Sequence, residues 1–396
     1  MDETWDAIVI GSGIGGLTTA GLLAAVGGKR VLVLEKHTEP GGLTHVFRRD
    51  GASWDVGLHY VGEMQEGRLG RRFMDFLSGG RLHWNRMPHD FERFMYPGLT
   101  FEVPADPAEY ESKLRERFPD EAAAIRRYFR DIRRVQRWGV LGFAASFMED
   151  PQGAVVRLIR KLGEREARRT TADYLNGHFR SPLLRALLVS QWGDYGLPAS
   201  RSAFAIHALI VGHYLEGGFF PVGGAGHIAR TFERGIEARG GAVLVCQEVT
   251  SILVENGRAV GVRVIDRRGP VPREREHRAP LVVSDAGARE TFERLLPTDG
   301  LVGRRTEKVR SFLRTLDTGG SAVTLYLRLR EPVSVLGIKG ENVWVNTELD
   351  HDSAGALGQD VLEGRPKHIY VSFPSEKSGE KTFHTAEIIS FVDGAA

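Results

Sequence analysis

Residues 7–35 read AIVIGSGIGGLTTAGLLAAVGGKRVLVLE. A short apolar run over 6–10 leads into three glycines at fixed offsets, Gly11, Gly13 and Gly16. A run rich in Leu and Ala follows over 14–26, and a second apolar run, RVLVLE, occupies 30–35. Short apolar runs bounded by glycine read as buried strands, and the longer Leu/Ala run reads as a helix. The stretch therefore predicts a compact βαβ unit, with parallel strands and a right-handed crossover.

The glycines give this unit a chemistry. Gly11 permits a tight turn, Gly13 lets backbone approach a pyrophosphate, and Gly16 allows the helix to pack closely on the strand. The helix N-terminus adds unpaired N–H groups and a positive dipole end. The acidic residue expected about 20 residues further on is Glu35, at the tip of the second strand. Its carboxylate suits the two ribose hydroxyls of an adenosine and repels a 2′-phosphate, which leaves FAD or NAD. A second glycine pair, Gly41-Gly42, lies just beyond in KHTEPGGLTHVF. A turn there brings more backbone N–H groups to the far side of the pyrophosphate and favours an extended FAD.

Composition bounds the remainder. The chain has 396 residues, 42% hydrophobic and 26% charged, which suits a globular enzyme of two intertwined domains. A formal net charge of +2 gives no reason to expect nucleic acid. The single cysteine, Cys246, excludes an intramolecular disulfide and reads as a small buried hydrophobe in AVLVCQEV. No Cys/His cluster has metal-ligand spacing, so no metal is expected. The N-terminal MDETWD is acidic where a secretory signal is basic. The apolar stretches WGVLGFAASFM and FAIHALIVGHYL fall short of the roughly 20 residues that span a bilayer. The expected location is cytoplasmic, with peripheral membrane contact left open.

Along the chain, 37–62 reads as a glycine-rich loop, and β-like stretches follow around 91–103. Residues 107–191 read as mostly helical. Ile125, Phe129, Ile132 and Val135 fall on one face there, among Arg126, Arg127, Arg130, Arg133, Arg134 and Arg137. That helix is either a solvated arginine face over a packed stripe or a face for acidic lipid. From about 216 the α/β pattern returns, with a hairpin turning at Asn256-Gly257. The fold class expected is α/β, a Rossmann-like dinucleotide-binding domain interleaved with an α+β substrate domain. The boundaries are 1–75 and 216–290 for the first. The second takes 76–215 and 291–396, with a helical insertion.

The motifs together resemble a family. VIGSGIGGLTTAGLLAAVGGKRVLVLEKHTEPGG with FRRDGASWDVGLHYVG resembles the FAD-dependent phytoene desaturase, carotenoid isomerase and retinol saturase superfamily. DYGLPASRSAFAIHALIVGHYLEGGFFPVGGAGHIARTF is most similar to the retinol saturase-like branch. The resemblance implies a flavin amine oxidase-like architecture. It also implies an FAD site built from Gly11, Ser12, Gly13, Gly15, Gly16, Glu35, Lys36, Gly42, Leu43, Thr44 and Val249. Many members carry an arginine after the glycine pair, where this chain has Leu43 and Thr44. Members also end in a closing segment similar to GLYLAGQD, which is not found in these residues.

The implied chemistry acts on a carbon–carbon double bond of a carotenoid, retinoid or other isoprenoid lipid, by saturation, desaturation or isomerisation. It needs an apolar slot and a group that handles a proton. His59, Tyr60 and His213 are the catalytic candidates, with His207 and Tyr214 nearby in sequence. For His207 and His213 a packed core or wall position is the simpler expectation. FFPVGGAG at 219–226 is expected to line the substrate side. Two other readings stay open: a truncated, non-catalytic dinucleotide-binding protein, and an NAD-linked dehydrogenase.

Overall fold

The computed structural model describes residues 4–145, 153–316, 319–352 and 359–393. The opening stretch folds as strand β1 (Ala7–Ile10), helix α1 (Ile14–Ala25) and strand β2 (Val31–Leu34). β1 pairs in parallel with β2 on one side and with the strand Val282–Ser284 on the other, so that Ile8 faces both Leu32 and Val282. β2 then pairs in parallel with Ala242–Leu244. Four strands form one parallel sheet.

Why these strands read as unbroken apolar runs follows from their two faces. Successive side chains point to opposite sides of a strand, and a parallel sheet is covered on both. Ala7, Val9, Val31 and Val33 pack with Leu17, Ala20 and Ala24 of α1 and with Ile228, Phe232 and Ile236 of the helix Gly226–Glu237. Ile8, Ile10, Leu32 and Leu34 pack on the other side against Ile252, Val262 and Val264 of a three-stranded antiparallel sheet. Leu17 is fully buried in the first of these layers, and its truncation to alanine would cost about 2–5 kcal/mol. The antiparallel hairpin turns at Asn256 (φ 52°) and Gly257 (φ 76°), the left-handed pair that a two-residue hairpin needs.

A second, six-stranded sheet is built from two distant parts of the chain. Asp90–Tyr96 and Leu99–Pro104 form one hairpin. The strand Asn342–Asn346 pairs in parallel with Asp90–Tyr96, and His368–Ser372, His384–Asp393 and Gly320–Leu329 follow outward. Helices from the segment between pack with this sheet in one core, through Phe91, Phe94, Tyr128, Phe129, Tyr174 and Phe204. Three of these helices start on side-chain caps: Asp106 accepts the N–H groups of Ala108 and Glu109 ahead of Pro107–Arg117, Thr170 accepts that of Asp173, and Ser181 accepts that of Leu184. The chain thus crosses between the two sheets and back.

Several expectations need correction. Residues 37–62 are not all loop: Val46–Arg49 and Ala52–Asp55 pair as a short antiparallel hairpin. Residues 290–314 do not join the six-stranded sheet, because Leu295 packs in the core under β1 and β2 and Arg310 of the helix Gly300–Arg314 donates to the Phe292 and Pro297 carbonyls. Cys246 is half-buried rather than buried, since AVLVCQEV breaks there at a left-handed φ of 56° between two strands. The helix Ala122–Ala145 buries Ile125, Phe129, Ile132 and Val135 as expected, but its basic face is partly paired. Arg127 lies 3.6 Å from Asp131, and Arg134 meets Glu166 at 2.5 Å.

Candidate dinucleotide cleft and aromatic cavity

The carboxyl ends of the parallel strands open on a cleft of about 400 Å³. Gly11, Gly13, Glu35, Lys36, Gly42 and Val249 all line it, which is where ligands sit in open α/β sheets. The glycines are forced by close approach. A Cβ on Gly16 would stand 2.2 Å from the Gly11 carbonyl oxygen, and one on Gly42 would stand 3.0 Å from Gly13 Cα. The Gly41 N–H donates to the Ser12 carbonyl at 3.0 Å, so the second glycine turn lies directly on the first.

Glu35 is held from behind. Its Oε2 accepts the Ser12 N–H at 2.9 Å and the Ser12 hydroxyl at 2.6 Å, while Oε1 accepts the His37 N–H at 2.8 Å. Ser12 is fully buried and orients the carboxylate from there. One feature of the cleft was missed by sequence reasoning. Asp285, just past the strand Val282–Ser284, accepts the Gly16 N–H at 2.8 Å through Oδ2. The acidic residue at the carboxyl end of a buried strand in LVVSDAG was the available signal. The close glycine backbones, the helix end and the oriented carboxylate fit the ADP half of a dinucleotide, with Asp285 as a like-charged neighbour.

A second cavity, also of about 400 Å³, begins one residue further along the chain, at Leu43. Leu43, Thr44, His59, Tyr60, Asp194, Tyr214, Trp344, Tyr370 and Phe391 are among its lining residues. Its walls are largely aromatic. Tyr60 and Tyr214 stack at 4.2 Å between ring centroids, and Trp344 lies 4.5 Å from Tyr370. Tyr60 Oη donates to Asp194 Oδ2 at 2.5 Å and accepts from Gln191 Nε2 at 3.1 Å.

Beside this cavity lies a buried charge network with no signal in the sequence. Lys377 Nζ donates to the His59 carbonyl (2.7 Å), Asn342 Oδ1 (2.7 Å) and Ser372 Oγ (2.6 Å). Glu92 accepts from Asn342 Nδ2 at 3.0 Å and from Trp344 Nε1 at 2.6 Å. Glu387 accepts the Asp55 N–H at 2.9 Å, and its other oxygen lies 3.0 Å from His59 Nδ1. Four carboxyl groups, Asp55, Glu92, Asp194 and Glu387, thus gather around one ammonium. Burial disfavours their ionised forms. It pushes Asp55 and Glu92 up to about 7 and Glu387 up to about 8, and holds Asp194 well above the usual carboxylate range. Burial also brings Lys377 down to about 8 and His59 down to about 3.

The remaining candidates separate. His59 and Tyr60 line the cavity. His213 does not: its Nε2 accepts the Gly62 N–H at 2.8 Å, and Nδ1 lies 3.7 Å from Glu63. His207 is buried between the hydroxyls of Tyr128 (2.9 Å) and Tyr195 (3.2 Å), a core histidine. The 219–226 stretch is absent from the residues lining the cavity. Its strand Phe219–Pro221 pairs with Trp84–Arg86 instead, and the Phe220 ring lies 5.5 Å from Lys377 Nζ. Gly15 and Gly16 sit in the first turn of α1, against Asp285. His89, Asp90 and Glu109 bring ligand-type atoms together at the surface, but His89 already meets Glu109 at 2.7 Å and Asp90 meets Lys113 at 3.4 Å.

Residues 9–77 match the model of the NAD(P)-binding Rossmann-like domain. Over 415 residues the chain is 33% identical to the all-trans-retinol 13,14-reductase of Danio rerio, covering 99% of this chain and 67% of that protein. The chain belongs to the all-trans-retinol 13,14-reductase family. The Rattus norvegicus member is 34% identical over 394 residues, covering 95% of this chain and 63% of that protein. The chain therefore spans about two thirds of the length of these relatives. The chain is also similar to a prolycopene isomerase of an Oncidium hybrid, 30% identical over 313 residues, with 76% of this chain and 51% of that protein covered. The fold is shared more widely. An oxidoreductase from Methanosarcina mazei aligns with a TM-score of 0.64 at 17% identity, covering 98% of this chain and 79% of that one. A redesigned putrescine oxidase aligns with a TM-score of 0.62 at 14% identity, covering 99% and 76%.

Proposed function

We propose that this chain is an FAD-dependent oxidoreductase acting on a carbon–carbon double bond of a retinoid, carotenoid or other isoprenoid polyene. The observation that carries this reading is that consecutive residues line the two hollows. Gly42 lines the dinucleotide cleft, and the next two residues, Leu43 and Thr44, line the aromatic cavity. A cofactor whose ADP end lies on Gly11, Gly13, Glu35 and Val249 then has its far end directed at an aromatic-walled slot. NAD would satisfy the cleft, but FAD accounts for the Gly41-Gly42 turn packed on Ser12 as well. When bound, FAD supplies two-electron redox chemistry.

The chain's own residues do the rest. The α1 N-terminus and the Gly41-Gly42 turn offer backbone N–H groups to the pyrophosphate. Glu35, fixed by Ser12, accepts from the adenosine ribose. Val56, Leu58, Trp344, Tyr370, Ile389 and Phe391 give the slot an apolar wall that excludes water and matches a flat, conjugated chain. Tyr60 and Asp194 place a hydroxyl and a carboxyl at its edge. In this reading 1–75 and 216–314 hold the cofactor, and the six-stranded sheet with its helices holds the substrate.

The surface suits a lipid-soluble substrate. Among the described residues no helix is long and apolar enough to cross a membrane. Yet Val140, Leu141 and Phe143, with Leu158 and Leu162 of the neighbouring helix Ala154–Arg168, are exposed beside Arg160 and Lys161. Apolar side chains among basic ones favour peripheral contact with acidic lipid.

The test is to load the purified protein with FAD, add all-trans-retinol or a cis-carotenoid under reducing and oxidising conditions, and weigh the products. Gain of two hydrogens indicates saturation, loss of two desaturation, and an unchanged mass with a shifted absorbance isomerisation. No change with any polyene, in protein that retains FAD, would count against the reading.

A further inference from the structure

The proton-handling group of the cavity can be assigned more closely, resting on the function proposed above. Two features single out one pair. Tyr60 and Asp194 both line the cavity, and they are joined by a 2.5 Å hydrogen bond. The Tyr60 oxygen is also fixed from its other side by Gln191, whose amide lies 3.5 Å from Glu92 Oε1. His59 also lines the cavity, but burial keeps its ring neutral near pH 7, and its Nδ1 is turned toward Glu387.

We infer that Asp194 and Tyr60 form the proton-donating pair of the aromatic cavity, Asp194 storing the proton as a carboxylic acid and Tyr60 delivering it to carbon. When bound, reduced FAD would supply the hydride equivalent to one carbon of the double bond in the saturating direction. The other carbon receives a proton from Tyr60 Oη, and a C–H bond forms there as the π bond breaks. The Asp194 acid then gives its proton to the Tyr60 oxygen and is left as carboxylate, to be reprotonated from solvent. Desaturation runs the same transfers backward, with Asp194 as the carboxylate that accepts.

The surroundings favour storage in the acid form. Burial disfavours the Asp194 anion most and Glu92 repels it further, outweighing the hydrogen bond from Tyr60 and the Lys377 ammonium, which favour it. The Lys377 ammonium already serves the His59 carbonyl, Asn342 and Ser372. Tyr214 stacks flat on Tyr60, which fixes the plane in which the hydroxyl turns.

The experiment uses Asp194→Asn, which keeps the acceptor, and Tyr60→Phe, which removes one oxygen atom. For each, FAD uptake, quenching of retinol fluorescence on binding, and single-turnover conversion are measured. Infrared difference spectra of the FAD-free protein, taken across the pH range, report the protonated carboxylic acid independently of turnover. The expected result is unchanged FAD uptake and retinol binding, conversion slowed about 10²-fold or more, and loss of one acid carbonyl band at neutral pH in Asp194→Asn. Conversion at the wild-type rate in either variant would overturn the pair while leaving the proposed function standing. If the wild type converts no polyene, the function fails on its own account. The pair is then judged by the infrared band, whose absence at neutral pH in the wild type overturns it.

Discussion

The Gly16 N–H donates to the Asp285 carboxylate at 2.8 Å across 269 residues of sequence. The third glycine of the fingerprint is therefore already bound to an anion of the protein's own, at the helix end where a pyrophosphate would lie. Asparagine at 285 keeps an oxygen for Gly16 and removes the like charge. Asp285→Asn is expected to tighten FAD binding by about 1 kcal/mol, the size of a unit-charge interaction near 4 Å in water. The gain should shrink with added salt. Titration of FAD into the cofactor-free protein, followed by flavin fluorescence at two salt concentrations, checks it; weaker binding in the variant would mean that Asp285 supports the cofactor.

Glu35 makes three hydrogen bonds within the protein and still lines the cleft. Glu35→Ala removes the ribose acceptor and releases Ser12. A hydrogen bond to a charged group contributes about 1.5–3 kcal/mol, so FAD affinity is expected to fall at least tenfold. Isothermal titration measures the affinity, and a denaturant melt of the same sample separates it from stability.

Lys377 is the single ammonium among four buried carboxyl groups. Its ammonium donates to three oxygens, of His59, Asn342 and Ser372, and leaving a buried acceptor unpaired costs about 1–3 kcal/mol. Lys377→Met is expected to destabilise by that order, and its urea midpoint should fall accordingly. A midpoint equal to the wild type's would show that these oxygens do not need the lysine.

Stability should vary with pH in a defined window. Asp55, Glu92 and Glu387 have folded pKa values of about 7, 7 and 8, raised from below 5. A group raised on folding stabilises fully below its unfolded pKa, and that contribution is lost as pH rises through the folded value. His59, His207 and His351 are lowered from 6.5 to about 3, so they act in the opposite sense, but only below 6.5. The two sets oppose each other up to about pH 6.5. Between 6.5 and about 7.5 the raised carboxyl groups dominate, before Lys377, brought down to about 8, begins to act in the opposite sense, and the melting temperature is expected to fall there. Glu387→Gln should flatten the decline, as seen in thermal melts at half-unit pH steps; a melting temperature that rises over this window would refute it.

Leu158 and Leu162 lie one turn apart on an exposed, basic helix. Replacing both with glutamate should reduce sedimentation with vesicles containing phosphatidylserine several-fold and leave FAD uptake unchanged. Equal sedimentation of variant and wild type would place the lipid contact elsewhere.

How much was legible in the sequence depends on how local each signal is. The βαβ unit was legible because glycine spacing, strand length and the terminal glutamate all lie within residues 7–35. The Asn256-Gly257 hairpin was legible for the same reason. Asp285, Lys377, Glu92 and Asp194 were not. Lys377 meets the His59 carbonyl across 318 residues, and Glu92 meets Trp344 across 252. A lysine in FPSEKSGE or a glutamate in HDFERF reads as surface, since both types are rarely buried unpaired. Only the pairing of Asn342–Asn346 with Asp90–Tyr96 brings these residues together. The short hairpin within 37–62 was hidden by its glycines, which suggest a loop even where the strands between them are paired.

The central claim is that one cofactor reaches from the glycine-rich cleft into the aromatic cavity. The most direct test is to bind FAD to the cofactor-free protein and follow quenching of its isoalloxazine fluorescence in the wild type and in Tyr60→Phe and Trp344→Phe. With the ring against Tyr60, Tyr214 and Trp344, quenching is strong in the wild type and weaker in the Trp344→Phe variant at equal occupancy. Bound FAD with fluorescence equal to free FAD, unaffected by either substitution, would contradict the account.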